Sequence, residues 1–175
     1  IVNRILEPFS HITVLVTADS WGNFFALRDH PDAQPEIREL ALQMKLAMDN
    51  WVPRVLDSPD EWHLPYIDEQ DAKDAQDKLR STSITRAMPT RSEVAKILCA
   101  VSAARCARVS YLTHDKKRPT LEEDMTLFYR LAHANPPHMS PCEHQAHPCR
   151  EPREGNYRRW SQFRHTIQGN TVYDC

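Results

Sequence analysis

The alternation of apolar and polar positions changes character along the chain, and the changes mark its elements. His11 to Ala18 read HITVLVTA, with Ile12, Val14 and Val16 on one side and Thr13, Leu15 and Thr17 on the other. A β-branched run of this kind predicts a strand covered on both faces. A polar and aromatic stretch punctuated by Gly22 and Pro31 follows. Behind Pro35, which suits a first helical turn, Ile37, Leu40, Ala41, Met44, Met48 and Trp51 recur at helical spacing. They predict a helix over residues 35–51.

Residues 52–89 break the pattern. Pro53, Pro59, Pro65 and Pro89 interrupt a polar stretch. It reads as a long surface connection with a short helix at Asp68–Leu79, and its EWHLPY segment is apolar enough to dock on the body. Two further helices announce themselves by their caps. Thr90 is followed by Glu93, then by Val94, Ile97, Leu98, Val101 and Ala104, running on towards Arg105, Arg108 and Tyr111. Thr120 is followed by Glu123, then by Leu121, Met125, Phe128 and Leu131 as a stripe. Thr with Glu three residues on predicts a capping box at each start. From Asn135 the chain is irregular and rich in Pro, His and Arg. The elements together predict an α+β fold, a mixed sheet with packed helices, in one domain spanning residues 1–175.

Composition narrows the chemistry. Lys plus Arg number 22 and Asp plus Glu 24, a net charge of −2 over 175 residues. That balance argues against a dedicated nucleic-acid or membrane-surface binder, which would carry a basic excess. No apolar run reaches the roughly 18–20 residues of a membrane span, and no signal segment opens the chain, so a cytoplasmic location is expected. The three glycines never form Gly-x-Gly. A glycine-rich phosphate cradle is thereby excluded, and side chains must meet any phosphate. Five cysteines without a signal segment are expected to be reduced thiols rather than a disulfide framework. Cys106, between Arg105 and Arg108, is the one candidate for an activated thiolate.

Two constellations carry candidate chemistry. His138-Met-Ser140-Pro-Cys142-Glu143-His144 continues to His147 and Cys149. It reads as a zinc site, as a ligand-facing loop with Ser140 capping, or as local backbone satisfaction; its spacing matches no paired zinc pattern. Asn23-Phe-Phe-Ala-Leu-Arg28 precedes Ala33-Gln34-Pro-Glu36-Ile-Arg38. If 23–28 is helical, Asn23 and Arg28 diverge and reach different parts of one large ligand. The plainer reading pairs Arg28 with Asp32 or Glu36 on the surface, worth little. Arg4 stands alone before the strand, as a surface residue or a bidentate phosphate contact.

These pieces resemble the flavin-dependent thymidylate synthases. HMSPCEH is similar to that family's His-x-Ser/Thr-Pro-x-Glu-His motif, and the chain from ARVSYLTHDKKRP onward resembles the segment in which it is embedded. NFFALRDHPDAQPEIRELA resembles the second signature, and Arg4-Ile-Leu-Glu-Pro8 an Arg-x-x-Leu-Pro segment with Glu7 in place of Leu. The order is swapped, as in rearranged, phage-like versions. Thr17-Ala18-Asp19 stands where the family often has Asn-x-Arg. Arg159-Trp-Ser-Gln162-Phe-Arg164-His165 is a degenerate echo of its Arg-His-Arg motif. A chain that opens at Ile1 is accordingly expected to be the C-terminal part of a longer enzyme, the full motif lying upstream.

The resemblance implies reductive methylation of dUMP to dTMP, with FAD as cofactor and NADPH and methylenetetrahydrofolate as co-substrates, in a homotetramer or with a missing N-terminal segment supplied. It implies that Arg28 contacts the uracil and favours its N3 anion. Arg4 would bind the nucleotide on its phosphate side. Asn23, Ser140 and Glu143 would line the flavin, and His138, with Arg28 a catalytic residue, would sit near the flavin ring and the folate pocket. No metal and no protein nucleophile are implied. A non-catalytic flavin- or nucleotide-binding remnant and a small zinc-binding protein are the alternatives.

Overall fold

The computed structural model describes residues 11–58, 60–83, 88–109, 118–149 and 158–167. Arg4, Tyr111 and Cys175 lie outside the described residues. Among those described, the fold is α+β: α1 (Gly22–Arg28), α2 (Pro35–Asp49), α3 (Glu69–Thr82), α4 (Arg91–Arg108), α5 (Leu121–Ala132), β1 (Ala146–Pro148) and β2 (Trp160–Gln162). Short 3₁₀ turns occupy Ser140–Glu143 and Phe163–Thr166.

The helices start where their caps demand. Thr90 and Thr120 each accept from the backbone N–H three residues on, and Glu93 and Glu123 each reach back to the capping residue. Asp68 and Asp71 do the same for α3, which runs three residues beyond the expected Leu79. Each such box satisfies donors that a helix start would otherwise leave open.

α4 is the centre of the molecule. Its stretch Leu98–Ala104 is buried all round, rather than along one stripe. Small residues make this possible: Cys99, Ala100, Ser102, Ala103 and Ala104 let the neighbouring elements approach closely. Phe128 of α5, Phe163, Met139 and Cys142 close one side of the core; Ala75 of α3 meets Val94 and Leu98 on the other. Charges stitch the same three helices. Arg105 Nη1 and Nη2 each donate to Asp71 at 2.8 Å, its Nε donates to Asp124 at 2.9 Å, and its Nη1 also reaches the Tyr66 carbonyl at 2.7 Å. Asp124 is completely buried. Burial works to raise the Asp71 carboxyl, but hydrogen bonds from Arg105 and the Asp68 backbone hold it below its ordinary value.

The sheet is smaller than the sequence suggests. Among the described residues, a two-stranded antiparallel pair stands where a mixed sheet was expected, Ala146 opposite Gln162 and Pro148 opposite Trp160. His63 extends it by a bridge to Ala146, donating to the Ala146 carbonyl at 2.7 Å. The strand expected at 11–18 is not formed. Ile12, Val14 and Val16 are 81%, 66% and 57% exposed, so that face is uncovered, while Leu15 and Thr17 on the other are half-buried. A strand exists only where a neighbour pairs its backbone, and no described strand lies alongside this one. The run is instead an extended strap. Thr17 Oγ1 meets His144 Nδ1 at 2.9 Å, and Asp19 accepts from the Arg158 backbone at 2.6 Å.

Beyond the strap, α1 packs on α2, with Trp21, Phe24 and Phe25 clustered at centroid distances of 5.4–6.2 Å. Only Ala41 of α2 is fully buried, and Ile37, Leu40, Leu46 and Met48 remain exposed. The apolar periodicity predicts this helix correctly, but among the described residues much of its apolar face stays uncovered.

Candidate functional site

The HMSPCEH loop is held in place by what flanks it. Pro141 and Cys142 fold it into a 3₁₀ turn, and Cys142 drops into the core against α4. Ser140 starts the turn without a side-chain cap, contrary to the capping role read from the sequence. Gln145, next in the chain, is fully buried; its amide donates to Ser102 Oγ at 3.0 Å, and Ser102 donates on to the Pro65 carbonyl at 2.8 Å. From the other side, Gln162 donates to the Glu143 carbonyl at 2.8 Å, and Arg164 pairs with the Glu143 carboxylate. The stretch read as a degenerate echo is thus the clamp on the motif. Its signal in the sequence was Arg164, the cation that answers the motif's acid.

His138, Ser140 and His144 line a cleft of about 700 Å³ between this loop, the ends of α4 and α5, and the strap at Thr13–Leu15. Its walls are apolar, with Val14, Leu15, Val109, Leu127 and Leu131. Among the described lining residues the charged groups are Arg108 and Arg130, with no Asp or Glu. Such a cleft suits a ligand with a flat apolar body and an anionic group. A larger cleft of about 910 Å³ lies between the 51–64 connection, α3 and α4. It mixes Arg54 and Arg91 with Asp60, Glu61, Asp68 and Glu69, so it selects no charge, and size alone does not make it the better candidate.

The structure brings together part of the predicted set. His138 and Ser140 face the cleft, and Glu143 sits in the same turn, tied to Arg164. Asn23 and Arg28 are exposed on α1, outside the cleft lining. Among the described residues Arg28 makes no ion pair: Asp32 faces His30, while Asp29 takes Arg38 and Lys45, each at 3.8 Å. Arg4 lies outside the described residues. Arg130 was not read from the sequence; its position in the last turn of the helix that leads into the motif was the available cue.

Burial pushes the Cys106 thiol up to about 11 and Cys142 up to about 12. The four described cysteines are free. Among the described residues no group of three or more His, Cys, Asp or Glu could hold a metal ion. The crowd at 138–149 is dispersed: His138 is exposed, Cys142 is in the core, and His147 stacks on Trp62 at 4.6 Å.

His63 lies near His144, the residue that ends the motif turn. Burial lowers His63, and the nearby His144 and Arg54 lower it further. Burial also lowers His144, partly opposed by Glu143. Both therefore protonate more readily in the unfolded chain than in the folded one. The stability they contribute is present above the ordinary value of 6.5 and is lost as pH falls below it. A melting-temperature series across pH 7.5 to 5 (a window set around roughly 6.5) is expected to fall on the acid side. His63→Gln should flatten the slope, and an unchanged slope would remove this histidine from the account.

Comparison with known families adds one finding. Residues 7–54 match the family model described as thymidylate synthase complementing protein. The match contains the strap and the whole Asn23–Arg38 signature. No curated protein and no solved structure matches the chain.

Proposed function

We propose, starting from residues 7–54 as a segment of the thymidylate synthase complementing protein family, that the chain serves flavin-dependent thymidylate synthesis. The reaction is reductive methylation of dUMP to dTMP, with methylenetetrahydrofolate giving the carbon and NADPH the electrons. The observation that carries this reading is the make-up of the cleft. Thr13–Leu15 of the family-matching segment and His138–His144 of the second motif, far apart in the chain, form its two sides.

The donor set fits a flavin. Apolar walls accept a ring system, and Arg130 offers a phosphate its guanidinium, with no Asp or Glu among the described lining residues. Ser140 would hold it from the loop; Glu143, paired with Arg164, and Asn23, on α1, stand outside the described lining and are assigned to the flavin by the resemblance alone; when bound, FAD would supply the hydride chemistry. His138, exposed at the cleft, would stand where the folate enters. Arg28 would bind the uracil edge and, as a permanent cation, favour loss of the N3 proton, raising electron density at C5. Arg4 would serve the nucleotide's phosphate side. None of these roles needs a cysteine nucleophile, in keeping with the raised Cys106 thiol.

The purified protein is expected to take up FAD and show a flavin spectrum. A colourless protein that leaves added FAD in the filtrate would sink the proposal. A second reading, a flavin- or nucleotide-binding module without turnover, draws on Thr166 following Arg164-His165 in place of a second arginine. Yellow protein that forms no dTMP would select it.

A further inference from the structure

We infer that Arg130 is the anion-binding residue of the cleft, the group that takes a phosphate or carboxylate carried by a ligand whose ring lies on the apolar walls. This rests on the cleft as the ligand site, and it adds a residue that neither signature contains.

Among the described residues the cleft has two guanidinium groups, and they are not equivalent. Arg108 is half-buried and already engaged: its Nε is 3.3 Å from Asp124 and its Nη2 donates to the Glu123 carbonyl at 3.3 Å. An incoming anion would have to compete with a completely buried carboxylate for it. Arg130 is exposed, and among the described residues it has no ion pair. The sequence explains why. On a helix the partners of Arg130 stand three or four residues away, and those positions are Thr126, Leu127, His133 and Ala134. The acids of α5, Glu122, Glu123 and Asp124, are gathered in its first turn, two turns away. Arg130 therefore keeps its planar fork of donors for a ligand, at a cleft whose described lining contains no competing acid.

Flanking residues define the ligand class. Leu127 and Leu131 lie one turn below and beside Arg130 on the same cleft wall, facing Val14 and Leu15 of the strap. The arrangement is an apolar slot with a cation at its edge. Two sources of anion satisfy it: the phosphate of a flavin, or the glutamyl carboxylates of a folate.

Calorimetric titration of the whole chain separates them. FMN is compared with riboflavin, which lacks only the phosphate, and pteroylglutamate with pteroate, which lacks the glutamyl group. Pyrophosphate serves as an anion with no ring. Arg130→Ala is expected to weaken the anionic member of one pair by about 10-fold or more while leaving its neutral or shorter partner unchanged, as loss of a charge-assisted contact requires. Arg130→Lys should fall between, and Arg54→Ala, on the other cleft, should bind like the parent. Loss in the FMN pair assigns the phosphate; loss in the folate pair assigns the carboxylates. Equal loss for both members of each pair, or no loss at all, overturns the role of Arg130. If the parent binds pyrophosphate through Arg130 but no flavin, the anion site stands and the flavin reading falls. If the parent binds neither pyrophosphate nor any anionic probe, the anion site is refuted whatever the flavin result.

Discussion

Replacement of Arg28 by Ala should lower dTMP formation on the order of a hundredfold, with the melting temperature nearly unchanged. The size follows from deleting one preorganised electrostatic group at the place where charge develops. The melting temperature should hold because Arg28 is exposed and makes no ion pair among the described residues, and such surface changes stay within about 0.5 kcal/mol. Arg28→Lys keeps the charge and loses the fork, so partial turnover should remain. The assay is tritium release or dTMP formation by the catalytically competent protein, normalised to folded molecules. Near-normal turnover in Arg28→Ala would reject the catalytic role.

Arg105 should show the opposite signature. Arg105→Ala withdraws donors from two buried carboxylates at once, Asp71 and the fully enclosed Asp124. Breaking a buried pair in this way costs about 3–5 kcal/mol, because the charges left behind cannot reach water. For a domain of this size that corresponds to a fall of roughly 10 °C in melting temperature. Arg118 and Arg108 still touch Asp71 and Asp124, which places the effect towards the lower end of the range. Arg105→Met, which keeps the stem, separates lost packing from lost charge. A melting temperature within about 2 °C of the parent, less than one kcal/mol, would mean that the remaining arginines suffice.

The helices were legible because their signals are local. Thr90 and Glu93, or Thr120 and Glu123, find each other within one turn, whatever the rest of the chain does. The strap was misread for the converse reason. Residues 11–18 have the composition of a strand, but pairing depends on a neighbour, and composition does not reveal whether one exists. The motif loop was legible as a string, whereas its clamp was not. Glu143 and Arg164 are 21 residues apart, and Gln145 and Ser102 are 43 apart. Only the fold makes these pairs. Arg130 is hidden among helix-pattern residues because its two cues, a place in the last turn before the motif and the lack of an acid one turn away, mark no string of their own.

The bridge between His63 and Ala146 bears on how this chain tolerates shortening. Residues 52–89 resemble a loop that could be excised, since long surface insertions are usually cheap to lose. Here the insertion returns through the interior. Trp62 is wedged between His147 and Phe163, at centroid distances of 4.6 and 6.1 Å, and Pro65 receives the hydroxyl of Ser102. A splice joining Val52 to Met88 would leave a vacant seat directly beneath the motif turn and strip Asp71 from Arg105. The stretch that looks most dispensable on paper is part of the foundation, and a minimal version of this protein would have to keep it.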